Sequence, residues 1–291
     1  MLLARELPNL GTLLRGENPI GLERGRELVA RTLAVVQGHP KLIELAEGQA
    51  SDPAALLQQV EHAAAAWAER EGMLTAFFTE GASQYTAEDF LKVLAGWTRG
   101  VSETLPSAAR TLFHCLCALV EDDRQNWIVA ATWAHLWRRL AQPGEAPDLA
   151  ATLVPLLTMG LVEAQPVGKA TRYTLHPGVA EAGRAEAGDN VQVVVDTELA
   201  AFWEAGYWRG VREETRGGGL LIIQAGRSAA PYLPRRQQWD KVSVLLEGLV
   251  TWNQSLDTMA TVLPWLRHIA SVTEGSEQEL QSAGALARAF M

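Results

Sequence analysis

Few residues in this chain have the type and spacing to do chemistry. Gly168-Lys169 could belong to a phosphate-cradling loop, which needs backbone N–H groups and a lysine at the phosphates. Glu163 stands where that loop requires its first glycine, and Ala170 where it requires a hydroxyl, so the pair fails. His114, Cys115 and Cys117 are soft metal ligands by type, but neighbouring helix positions diverge by about 100°. In so apolar a stretch they read as core. Glu121-Asp122-Asp123 reads as a helix cap facing water rather than a cation site. Neither a Gly-x-Ser-x-Gly elbow nor a His-Glu-x-x-His pair occurs. No catalysis, and no metal, is expected of this chain.

Composition narrows the class. The chain has 291 residues, 48% of them hydrophobic and 20% charged, which suits a globular protein of two or three small domains. A net charge of −9 repels nucleic acid and anionic membrane. Two cysteines one residue apart cannot build a disulfide framework, and fit a reducing cytosol. Charge at Arg5 and Glu6 argues against a signal peptide, and no run of eighteen apolar residues spans a bilayer. A cytoplasmic protein without membrane contact is expected.

The elements that would position any site are helical. Apolar residues Leu22, Val29, Leu33 and Val36 recur at helical spacing over 23–37. Gly38-His39-Pro40 then breaks that helix and opens another. Asp52-Pro53 caps a further helix running to about Arg70, and Thr86 starts one that stops before Pro106. Helices follow over 108–120, 126–141 and 148–159, the last holding Pro155 as a kink or a shifted start. Segments 161–167 and 170–176 flank Gly168-Lys169 as a hairpin. Three helices and a two-stranded wing follow the order of a winged-helix domain. A short helix over 179–187 and a long one over 194–212 lead into two helix pairs, whose first helices begin at Leu220 and Leu256. That offset is close to the tetratricopeptide period of about 34 residues. The expected fold class is mainly α: a helical domain (1–105), a winged-helix domain with a small hairpin wing (106–190) and a linker with tetratricopeptide-like pairs (191–291). Most of the ten tryptophans are assigned to core.

A winged helix raises the question of DNA. The helix that would enter the groove, 149–159, contains no Lys or Arg, so it cannot release counterions from phosphate. DNA binding is disfavoured.

The series Gly38-His39-Pro40, a winged helix, Tyr173-Thr174-Leu175-His176-Pro177 and then helical pairs resembles the C-terminal part of the nucleotide-binding module of STAND NTPases. The resemblance spans about residues 20–190 by element order, and the rest by architecture. In that family a Gly-x-Pro motif packs its proline on adenine, and the histidine of a Met-His-Asp motif meets the β-phosphate of ADP. Gly38 and Pro40 match the first motif. In the second only His176 survives, with Leu175 and Pro177 replacing its neighbours. The family's P-loop core lies N-terminal to Gly-x-Pro and is absent here. The resemblance therefore implies a regulatory and sensor segment that clamps ADP or ATP held by an upstream ATPase domain, binds no nucleotide cofactor alone, and receives a ligand or protein partner on its helical pairs. On the residues alone, Pro40 is also an ordinary helix-opening proline, and His176 a cap or packing residue. A stand-alone helical adaptor is the alternative.

Overall fold

Prolines and glycines punctuate the chain. Pro8, Pro40, Pro53 and Pro177 each open a helix, at a position whose N–H has no intrahelical partner. Gly16 and Gly160 end or follow helices with φ of 75° and 68°, in the left-handed region that glycine tolerates. The computed structural model describes residues 7–68, 87–213, 218–276 and 278–289. The expected helix end near Arg70, the start at Thr86, the Met1–Glu6 segment and Gly217 lie outside them.

The described residues are mainly helical, with a single two-stranded sheet among them. They form two compact units, 1–117 with 147–188, and 118–146 with 189–291. No helix of the described residues is long and apolar enough to cross a membrane.

The first unit contains α1 (Pro8–Arg15), α2 (Leu22–Val36), α3 (Pro40–Gln49), α4 (Pro53–Ala68), α5 (Ala87–Thr104) and α6 (Ser107–Ala118). After α7 (Asn126–Arg139) of the second unit come α8 (Leu149–Thr158), β1 (Glu163–Val167), β2 (Ala170–Thr174) and the start of α9 (Pro177–Arg212). Helix α1 packs on α2 and α3, α2 on α4, and α5 on α3 and α4. Their buried faces include Leu13, Val35, Leu42, Leu45, Leu56, Val60 and Trp97. Leu7 gives α1 no side-chain cap; instead the Glu47 carboxylate, from α3, accepts from the Asn9 and Leu10 N–H groups at 2.6 and 2.9 Å. The Trp97 indole donates to Gln49 Oε1 at 2.8 Å, tying α5 to α3. Helix α8 starts at an Asp148 cap and carries Pro155 inside it without a break. The hairpin pairs antiparallel, with Glu163 opposite Thr174 and Val167 opposite Ala170. Cys115 and Cys117 are buried, as expected, and burial pushes the Cys115 thiol up to about 12.

Gly188 breaks α9 with φ 72° and ψ 175°, where the first unit ends. The rest of α9 belongs to the second unit, with α7, α10 (Gly219–Ala229), α11 (Tyr232–Arg235), α12 (Trp239–Trp252), α13 (Leu256–Thr273) and α14 (Glu279–Ala289). Helix α12 packs on α10, α13 and α14, and α13 on α14.

The acidic run differs from its expectation. Glu121 and Asp122 are exposed, but Asp123 is buried at 2% exposure at the end of a 3₁₀ turn. Its Oδ2 accepts from Tyr232 Oη at 2.6 Å and from Trp203 Nε1 at 3.1 Å. Two buried donors far along the chain draw it inward, which three adjacent carboxylates do not reveal. The tryptophans differ too. Trp97, Trp133, Trp137 and Trp203 are core, whereas Trp127, Trp208 and Trp252 are 43%, 42% and 37% exposed.

Candidate functional site

Two helices of the first unit start with the same dipeptide, His-Pro, and the fold brings these starts together. At α3, His39 is the cap residue and its Nδ1 accepts from the Leu42 N–H at 3.4 Å. At α9, His176 Nδ1 accepts from the Gly178 N–H at 3.2 Å. Each imidazole thus satisfies an otherwise orphan donor of a first turn. With Nδ1 accepting, the neutral ring carries its proton on Nε2. The two rings meet edge to face, centroids 5.8 Å apart, and His39 also stacks on Phe90 of α5 at 5.7 Å.

Close packing explains why the starts converge. A Cβ on Gly48 of α3 would lie 2.8 Å from the Met159 backbone, so α3 rests directly on the turn before the hairpin. A Cβ on Gly178 would lie 2.8 Å from Leu94 Cδ2, so α9 begins against α5.

Between them is a cavity of about 420 Å³ lined by His39, Pro40, Lys41, Glu44, Glu163, Gln165, Thr174, Leu175 and His176. Pro40 and His176 therefore share one cavity. Gly38 does not line it; with φ 76° and open space around its missing side chain, it shapes the turn that follows α2 and leads to His39. Lys41 is 4% exposed. Its ammonium bonds Glu44 Oε2 at 2.6 Å and Glu163 Oε1 at 2.9 Å, and those two side chains are about half exposed. Sequence reasoning passed over His39, Lys41, Glu44 and Glu163. The repeated His-Pro was the available signal for His39; nothing local pairs Lys41 with a residue 122 positions away.

Burial lowers the pKa of His176, and the neighbouring His39 and Lys41 lower it further, against Glu44 and Glu163, which raise it. Thr174 Oγ1 on the cavity wall has no hydrogen-bond partner among the described residues. The cavity can therefore offer imidazole Nε2–H donors to a ligand, but its lysine is already neutralised and the Thr174 hydroxyl is buried. Such donors suit contact at the edge of a phosphate group, not a full phosphate cradle. No group of three or more metal-ligating side chains occurs among the described residues. No family model, curated protein or solved structure matches the chain.

Proposed function

We propose that this chain is the regulatory and sensor segment of a STAND-type signalling switch. In this reading residues 1–105, which include α3 and its Gly38-His39-Pro40 entry, are the helical domain. Residues 106–190, with the β1–β2 wing, carry the winged-helix reading, and the helix pairs after Gly219 are read as a tetratricopeptide-like receiver. Pro40 would pack on the base and His176 would meet the β-phosphate of ADP held by a P-loop core. The observation that supports this is the shared cavity of Pro40 and His176, residues 136 positions apart in sequence. The reading assigns the chain no hydrolysis, and a two-state coupling between nucleotide clamp and receiver.

Because Lys41 is neutralised by two carboxylates, the chain alone holds ADP weakly. With a P-loop core supplied, ADP binds tightly, and His176→Ala speeds its release about tenfold, the loss of one hydrogen bond to a charged group. Stopped-flow release of a fluorescent ADP reads this. Equal release from wild type and His176→Ala would remove the clamp.

A second reading, a helical adaptor that binds protein without nucleotide, is favoured by Leu220 and Leu256. They are 80% and 90% exposed at the first turns of α10 and α13, where burial against a partner would be favourable.

A further inference from the structure

The second unit holds a larger and chemically different cavity, an aromatic groove between α7 and the part of α9 after Gly188. Its volume is about 610 Å³, within the usual range for small-molecule sites. Along α7 the lining residues are Trp127, Ala131, His135 and Arg139, one ridge at helical spacing. The opposing wall runs the other way. Trp127 meets Phe202 and Trp203 at 6.0 and 5.8 Å, whereas His135 and Arg139 meet Glu198 at 3.0 and 2.6 Å. Arg209, also in the lining, therefore sits at the Trp127 end, about 16 Å along α9 from Glu198.

Three observations say what this groove takes. Its middle is aromatic, with Trp127 left 43% exposed although a buried position would remove its apolar surface from water. Its two arginines are not equivalent. Arg139 is bound to a carboxylate that is only 8% exposed, so that end is already neutralised. Arg209 is paired through Nε with Glu213 at 3.2 Å in an exposed i, i+4 bridge, which is weak and easily exchanged. An anion therefore finds its charge complement at Arg209. Finally, Gly206 in the lining is a helix-interior glycine that packing does not require. A Cβ there would meet only ordinary contacts at 3.6 and 3.9 Å, while at Gly210, Gly226 and Gly248 of the same unit it would come within 2.8, 2.4 and 1.7 Å of neighbours. A glycine costs a helix about 1 kcal/mol relative to alanine, and at Gly206 no close neighbour requires it.

We propose that this groove binds a small planar aromatic carboxylate, its ring seated beside Trp127 and Phe202 over Gly206 and its carboxylate on the terminal guanidinium nitrogens of Arg209. Stacking favours a flat ring, and the guanidinium fork matches a carboxylate's two oxygens. The proposal does not rest on the nucleotide reading, and its test uses no nucleotide.

Calorimetric titration of naphthoate into the full chain tests it, with naphthalenemethanol as the uncharged isostere. Naphthoate binds one to one with Kd of about 10 µM to 1 mM, and the alcohol binds about tenfold more weakly. Arg209→Gln, at a side chain 67% exposed, weakens naphthoate to the level of the alcohol. Ala205→Trp, at an exposed lining position, fills the groove and weakens both probes at least tenfold. Thermal melts like that of the wild type show both variants folded. No saturable binding of naphthoate, an alcohol that binds as tightly as the acid, or affinities unchanged in both variants would overturn the assignment.

Discussion

The cavity at the His-Pro helix starts and the groove along α7 are both made by helices, but they use their polar groups in opposite ways. In the cavity those groups already serve the fold. Two imidazoles cap first turns, and a buried lysine is shared by two carboxylates. In the groove Glu198 alone is buried and committed among the charged lining residues, and the walls are rings and small side chains. A site made of helix caps is rigid and cannot be altered without touching stability. A site made of rings and gaps can be altered almost freely, provided that its floor is held.

That proviso gives the largest expected effect. The floor residue Trp203 hangs on Asp123, and Asp123→Ala strands two buried donors, the Trp203 indole and the Tyr232 hydroxyl. Urea unfolding should show a loss of about 2–4 kcal/mol, whereas Asp123→Asn, which keeps an acceptor, should lose less than half of that. The same carboxyl gives a pH signature. Burial, ahead of Asp122's charge, pushes it up to about 6 from an ordinary 3.8, against the Tyr232 and Trp203 hydrogen bonds. The folded state then holds the proton more tightly than the unfolded chain, so stability falls as pH rises from about 4 to about 6 and levels off above. Asp123→Asn should erase that slope.

Next come two glycines that should respond with opposite sign. Gly48→Ala pushes a methyl against the Met159 backbone and should destabilise by about 1–3 kcal/mol. Gly206→Ala should stabilise by about 0.5–1 kcal/mol. Thermal melts of the two variants compare a helix locked to its neighbour with one left open.

Smaller still, His39→Ala removes a cap and a stacked ring and should cost about 1 kcal/mol. The smallest effect sharpens the electrostatics of the cavity. Lys41 lowers the His176 pKa, so Lys41→Met should raise it, read from the pH titration of the His176 ring proton.

What was legible in the sequence follows from how local each cause is. Helix boundaries were readable because Pro53, Asp148 and Gly160 act within a turn of themselves, and so was the hairpin around Gly168-Lys169. The face of α2 was harder. Leu22 and Leu33 fit the spacing but are 42% and 38% exposed, while Leu28, Val29, Val35 and Val36 form the buried face, because packing against α1 and α4 sets the rotation. Pro40 and His176 were legible as a pair only through family resemblance, yet they line one cavity. Lys41 with Glu163, and Asp123 with Tyr232 and Trp203, depend on tertiary partners that no local pattern encodes. Gly206 looked like any helical glycine until its surroundings showed that no neighbour demands it.

The central claim is that His176 faces the phosphate of a nucleotide held by a P-loop core. Its direct test is the His176 titration, followed by NMR in the chain with that core, before and after ADP is added. Without ADP the ring should titrate below the ordinary histidine value, as burial dictates. Bound phosphate should then carry its pKa upward, since a nearby anion favours the imidazolium. A His176 pKa that does not move on saturation with ADP would contradict the account.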